Sequence, residues 1–357
     1  MGDVVSCPRI NILINKMGPT LLLDKSAFQA LSQGEMLKIS KYFNLNLVDI
    51  LLWEIMGDFF KPTKTTSSRN EASILADKVS LIDADQNVNY IHLLVENLLG
   101  SPVTMDGRPI VAPDAITRLE NGQTAAFTNG IPFCNMITRW QQGNFTEEDI
   151  SKVKIWQEVK NDCKAKANNY LNLLTAYHIV FPKCTDIHGM KLEVDKLLEN
   201  INIQLTFLDM LLSYQGIESR RKQLINERIN QHPHSLPKAA PYAFYCMTVF
   251  AFYLGLCKHD LLLERKPDDQ IDLEYLFYLP FCKVFSSNDN FHKTLVRELI
   301  TDDQVFVSGS ELKNGILEID IPPIHKETMN SKCDPIPPMA EHSLIRDIWI
   351  STKWLYN

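Results

Sequence analysis

Four acidic residues occupy positions from which a carboxylate can do chemistry. Asp24 follows the apolar run Thr20–Leu23, and Asp289 follows the alternating segment 282–287. Both segments are typical of buried strands that end just before a helix, and in a parallel sheet such strand ends lie at one edge. Glu54 lies within an apolar helical segment, and Asp272 begins another. The sequence therefore predicts that these four carboxylates meet at one edge of a sheet.

Such a cluster needs a counter-charge, because like charges a few ångströms apart raise one another's pKa. Carboxylate oxygens are hard ligands that select Mg²⁺ or Mn²⁺ rather than zinc or copper. One or two such ions can bind a phosphate, lower the pKa of a bound water and stabilise the leaving oxygen. We expect Asp24, Glu54, Asp272 and Asp289 to be both metal ligands and catalytic residues of phosphodiester hydrolysis.

Three segments carry a resemblance to a known family: TLLLDKSAF, LLWEIMGDFF and DLEYLFYLPFCKVFSSNDNFHK. They resemble PIN-like nucleases, in which an aspartate ends the first strand and a glutamate follows on the second helix. In that family a further aspartate starts the helix before the fourth strand, which ends in a Ser/Thr-x-Asp-like turn. Matched by position, the resemblance points to the same four residues. One departure is Asn288, which stands directly before Asp289 where the commoner turn has Thr or Ser.

The resemblance implies an α/β fold with a small parallel, Rossmann-like sheet flanked by helices. It also implies a Mg²⁺- or Mn²⁺-dependent endoribonuclease that cuts single-stranded RNA, with DNA open as an alternative substrate. It covers the front of the chain and a block near the end. We expect residues 1–70 and 260–320 to form the nuclease core. Residues 71–259 are expected to form a mainly helical insertion whose last helices pack on the core, and 321–357 a Pro-rich tail whose Trp349 and Trp354 indicate docking.

Composition limits the class of protein. With 357 residues, of which 45% are hydrophobic, the chain is long enough for two domains or for one domain with a large insertion. The net charge of -7 argues against a protein that coats nucleic acids, although an enzyme can visit them briefly. Eight cysteines without metal-ligand spacing indicate reduced thiols and a cytoplasmic protein. The apolar segment 239–257 contains Pro241 and several tyrosines, which favour a buried helix over a membrane span.

Two other functions remain open from the residues alone. A PIN-like fold can be kept as a catalytically inactive interaction or scaffold module. An aspartyl-phosphate phosphatase also ends its first strand in aspartate, but it needs a second aspartate two residues later, where this chain has Ser26. A homo-oligomer and an inhibitory protein partner are both open; the second suits the further hypothesis of a toxin-like or defence effector.

Three predictions concern individual elements. Residues 44–60 are expected to form one helix that contains Glu54, and residues 190–214 a second long helix closed by Gly216. Beyond residue 70 we expect no further strand of the sheet until the block that ends in Asp289.

Overall fold

Within the part of the chain that the structure describes, seven strands form two sheets. The strands are β1 (Thr20–Leu23), β2 (Asn44–Leu47), β3 (Ala84–Gln86), β4 (Ala115–Arg118), β5 (Thr124–Phe127), β6 (Val284–Ser286) and β7 (Val305–Val307). Five of them make an all-parallel sheet in the order β3-β2-β1-β6-β7, and β4 pairs with β5 in a separate antiparallel ribbon. The expected α/β class with a parallel sheet is confirmed, and the architecture is consistent with a Rossmann-like fold.

Helices flank the parallel sheet and make up most of the segment between β3 and β6. They are α1 (Lys25–Ala30), α2 (Gln33–Ile39), α3 (Asp49–Met56), α4 (Glu71–Ser80), α5 (Tyr90–Leu99), α6 (Ile131–Gln141), α7 (Glu147–Ala176), α8 (Ile187–Leu197), α9 (Ile201–Tyr214), α10 (Ser219–Gln231), α11 (Leu236–Ala239), α12 (Pro241–Lys258), α13 (Asp269–Leu276), α14 (Asn290–Leu295), α15 (Gly309–Leu317) and α16 (Leu344–Ser351). Short 3₁₀ helices span Leu279–Phe281 and Val296–Glu298.

This computed structural model describes residues 18–61, 69–82, 84–112, 115–118, 124–127, 131–231, 236–262, 269–319, 335, 337–338 and 342–354. The apolar segment around α12 is a buried helix, as Pro241 and the tyrosines predicted, and it packs against α5, α8 and α9. Over these ranges, no helix combines the length and the apolar character that crossing a membrane requires.

The centre of the parallel sheet is the pair β1 and β6. All four residues of β1 and all three of β6 are buried, as expected for strands covered by helices on both faces. The chain leaves β1 toward β2 and β3 on one side, while β6 and β7 lie on the other. The strand order therefore reverses between β1 and β6, and open α/β sheets place their ligands at such a point. Asp24 and Asp289 both follow strands of this pair.

The prediction of one helix over residues 44–60 is wrong for its first part. Residues 44–47 form β2, which pairs with β1 and β3, and the helix α3 begins only at Asp49. The buried amides of Asn44 and Asn46 donate to the backbone oxygens of Gly18 and Phe281 at 3.0 Å. These long-range hydrogen bonds lower the free-energy cost of burying two polar side chains in a central strand. No local feature of the sequence predicts these hydrogen bonds.

The sheet also does not stop at residue 70. β3 lies within the segment expected to be a helical insertion, yet it pairs with β2 in parallel register and forms the sheet edge. The rest of that segment is mainly helical, and its long helix α7 packs against α3 and α13, the helices of Glu54 and Asp272. The expected helix over residues 190–214 is two helices, because Asn200 caps a new helix with its side chain on the backbone of Asn202.

The end of the chain docks on the α/β unit, as its tryptophans predicted. Trp349 on α16 is 1% exposed, and its indole Nε1 donates to the backbone oxygen of Tyr42 at 3.0 Å. α16 packs on α15, which in turn packs on α1 directly after Asp24. The C-terminal helix therefore supports the element that follows the first site residue.

Replacing Gly309 with alanine should loosen this packing. A Cβ at Gly309 would lie 3.0 Å from the Cα of Ala27 and 2.7 Å from Nδ2 of Asn288, so α15 would have to move away from α1. We expect the free energy of unfolding to fall by about 1–3 kcal/mol, measured by urea titration. Gly34→Ala is the control, since its Cβ meets nothing within 4 Å, and it should stabilise α2 by roughly 0.5 kcal/mol. Equal effects of the two changes would contradict the steric argument.

Candidate functional site

Asp24 is a buried carboxylate at the junction of β1 and α1. It caps α1 through Oδ1, which accepts the backbone N–H of Ala27 at 2.8 Å. Its Oδ2 accepts the hydroxyl of Ser287 at 2.6 Å, and the Ser26 hydroxyl lies 2.9 Å from Oδ1 and 2.8 Å from Oδ2. Nδ1 of His292 also lies 3.3 Å from Oδ2. These contacts fix the directions in which the Asp24 oxygens point.

Ser287 connects Asp24 to Asp289. The strands pair with Leu23 opposite Ser286, so the first residues beyond β1 and β6 are neighbours. The Ser287 hydroxyl donates to Asp24 and also accepts the backbone N–H of Asp289 at 2.9 Å. Asp289 in turn caps α14 by accepting the N–H of Phe291 at 2.7 Å. Both predicted strand-end aspartates therefore lie at the same sheet edge.

Asn288, the departure from the family turn, does not displace Asp289. Its backbone N–H donates to the Ser26 hydroxyl at 2.8 Å, and its side-chain oxygen accepts from the backbone and hydroxyl of Ser310 at 3.1 and 3.2 Å. The Asn288 side chain thereby joins the turn to the start of α15.

Glu54 reaches the site from α3. Its Oε2 accepts the hydroxyl of buried Tyr275 at 2.6 Å, and its backbone oxygen accepts Nζ of Lys25 at 3.1 Å. Lys25 is held there by an ion pair with buried Asp58 at 2.6 Å. Burial raises the pKa of Glu54 and the charge of Asp24 raises it further, while Lys25 and the Tyr275 hydrogen bond lower it; the result is about 7.

Asp272 lies on α13 and faces the same group of charges. Burial raises its pKa to about 8, and the charges of Glu54, Asp289 and Asp24 add to the increase, while His292 opposes it. Each of the other three predicted acidic residues therefore acts on Asp272 electrostatically. The structure thus places the other three predicted acids close enough to Asp272 for their charges to raise its pKa, and Asp24 acts in the same way on Glu54.

A buried histidine contacts the segments that carry these acids. His292 on α14 is fully buried, and its Nδ1 lies 2.9 Å from the Ser287 hydroxyl and 3.3 Å from Oδ2 of Asp24. Its Nε2 donates to the backbone oxygen of Asp272 at 2.8 Å. Burial lowers the pKa of His292, but the Asp24 contact and the charge of Asp272 outweigh it and raise the pKa to about 9. Near neutral pH the ring is an imidazolium and supplies one positive charge to the acidic group.

The donor chemistry of the four carboxylates fits a hard divalent cation, since all their ligand atoms are oxygens and two of them have pKa values raised in part by mutual repulsion. Their spacing is looser than that of a formed coordination shell. Within the described ranges, no three His, Cys, Asp or Glu side chains form a group that could hold a metal ion.

Sequence reasoning missed the residues that hold this group together, namely Ser287, His292, Tyr275 and Lys25. A signal existed for one of them: on α14 the buried positions are Phe291, His292 and Leu295, so the histidine lies on the apolar face of a short helix. The others act through contacts between residues far apart in the chain, as Tyr275 does with Glu54.

Comparisons of the chain with protein-family models, with curated proteins and with solved structures find no match.

Replacing Asp272 with asparagine should stabilise the metal-free protein at high pH. An acid whose pKa is raised on folding binds more protons in the native state, so its ionisation makes stability fall as pH rises from about 4 to about 8. In EDTA the variant should gain stability relative to the wild type by on the order of 4 kcal/mol between pH 5 and pH 9, because the wild type loses about 1.4 kcal/mol for each pH unit from 5 to about 8. Denaturant titration at both pH values measures this.

Glu148→Gln makes the same charge change at an exposed position on α7. The difference in stability between this variant and the wild type should not change across this pH range. If Asp272→Asn behaves like Glu148→Gln at both pH values, Asp272 does not experience the repulsion described here.

Proposed function

We propose that this chain is a PIN-like, metal-dependent endoribonuclease that hydrolyses phosphodiester bonds of single-stranded RNA. The observation that carries the proposal is the pair of aspartates, Asp24 and Asp289, at the ends of neighbouring parallel strands where the strand order reverses. Glu54 and Asp272 approach this pair from α3 and α13. The order of these acidic residues along the chain is that of the family which the sequence resembles.

In this proposal the four carboxylates hold Mg²⁺ or Mn²⁺. The bound cation would lower the pKa of a water molecule and neutralise charge on the scissile phosphate. Asp24 is the fixed member, because its hydrogen bonds from Ala27, Ser26 and Ser287 determine where its oxygens point. Glu54, Asp272 and Asp289 are partly exposed, and the proposal requires that their side chains turn toward a cation when it binds.

The protein's own residues also set the charge of the site. Lys25 and His292 are the two cations that act on Glu54, and both lower its pKa. They offset part of the repulsion among the acids, so the site can stay folded before a divalent ion binds. The remaining repulsion favours binding of a cation over an anion such as an isolated phosphate. A phosphodiester substrate is therefore expected to need the metal.

Cleavage of single-stranded RNA tests the proposal. Incubation of a labelled oligoribonucleotide with the protein and Mn²⁺ should give internal cuts that EDTA prevents. Asp24→Asn and Asp289→Asn should each lower the rate by on the order of 100-fold or more, since each removes charge at the reacting centre. Glu148→Gln, at an exposed position on α7, should cleave at the wild-type rate.

Unchanged cleavage in both aspartate variants would overturn the assignment of the site. Absence of cleavage by the wild-type protein, with no stabilisation by Mn²⁺ in a thermal melt, would favour the alternative of an inactive interaction module. A binding metal at 100 times its dissociation constant should stabilise the fold by about 2.7 kcal/mol, so the melt is sensitive to it.

A further inference from the structure

His292 has both ring nitrogens engaged while being fully buried. Nε2 lies 2.8 Å from the backbone oxygen of Asp272, which can only accept, so Nε2 carries a hydrogen. Nδ1 lies 2.9 Å from the Ser287 hydroxyl and 3.3 Å from Oδ2 of Asp24. One side chain thus contacts three segments that carry predicted site residues.

Aromatic neighbours fix the plane of this ring. Tyr275, Phe285 and Phe291 surround His292 edge-to-face, with ring centroids 5.6, 5.1 and 5.7 Å away. Such packing leaves the imidazole little freedom to turn, because these arrangements are favourable and the core around them is dense. The directions of its two hydrogen bonds are therefore set by the core and not by the acids.

His292 is also linked to Glu54 and to Asp289, each through one intermediate residue. Tyr275, which packs on His292, donates to Glu54, and Ser287, which bonds to His292, accepts the N–H of Asp289. A histidine in this place is costly unless its polar atoms are satisfied, and a phenylalanine would fill the volume without that cost. The polar ring therefore has a use beyond packing.

We infer that His292 is a positioning residue, which holds the segments of Asp24, Asp272 and, through Ser287, Asp289 together at the edge of the sheet where the proposed function requires a metal ion to bind. The inference rests on the proposed function for the role of the acids, but the placement itself can be measured without metal or RNA. The side chain does not contact the substrate in this account; it acts through the carboxylates.

The test uses His292→Phe, which keeps an aromatic ring in the core and removes both nitrogens. Hydrogen–deuterium exchange with mass spectrometry, on the full-length metal-free protein, follows peptides over residues 22–28 and 286–291. These contain the N–H groups of Ala27 and Asp289, which bond to Asp24 and Ser287. We expect their exchange to be about 10-fold faster than in the wild type, because local opening becomes easier. Mn²⁺ affinity, by isothermal titration calorimetry, should fall about 10- to 100-fold.

Leu211→Ala is the matched control. It removes a fully buried side chain from α9, which packs on α12, and should destabilise the fold by about 2–5 kcal/mol without touching the acids. At equal global stability, set with denaturant, it should leave both peptides and the Mn²⁺ affinity at wild-type values. Changes as large as those of His292→Phe would mean that His292 is only a core residue, and would overturn the inference.

The outcomes separate the two proposals. If the wild type neither binds Mn²⁺ nor cleaves RNA, the proposed function fails, and the exchange measurement alone decides on His292: faster exchange supports positioning, and unchanged exchange overturns it. If His292→Phe does not fold, His292→Gln takes its place, since its amide can replace one ring nitrogen at most. Exchange and Mn²⁺ affinity equal to those of Leu211→Ala would then overturn the inference.

Discussion

The parallel pairing of β1 with β6 is the interaction on which the candidate site depends. With Leu23 opposite Ser286, the residues that leave the two strands are adjacent, and the Ser287 hydroxyl can join Asp24 to the turn of Asp289. This pairing joins residues more than 260 positions apart in the chain. Everything between them, including the long helix α7, must fold so that these two short strands meet.

Electrostatic repulsion is the second constraint. Four acids that share one poorly solvated region cannot all be charged at low cost, and the raised pKa values of Glu54 and Asp272 express that conflict. Lys25 and the buried imidazolium of His292 offset part of it. Such a site lowers the stability of the metal-free protein. This loss of stability is understandable if the repulsion among the acids favours the binding of a cation.

Part of this arrangement is written locally in the sequence. The runs around Thr20–Leu23 and Val284–Ser286 indicate buried strands, and an aspartate after each predicts a shared edge, so these features could be predicted. β2 could not, because Asn44 and Asn46 are polar in a central strand and donate their side-chain N–H groups to distant backbone oxygens. The role of His292 could not be predicted for the same reason, because its partners Asp24, Ser287 and Asp272 come together only in the folded chain.

If the four acids form one cation site, each of them contributes to the affinity for Mn²⁺. Titration calorimetry of the wild type and of Asp24→Asn, Glu54→Gln, Asp272→Asn and Asp289→Asn compares all four positions under one condition. We expect the wild type to bind Mn²⁺ and each of the four variants to bind it more weakly. Binding that is unchanged after loss of Asp24 or Asp289, or no binding by the folded wild type, would contradict it.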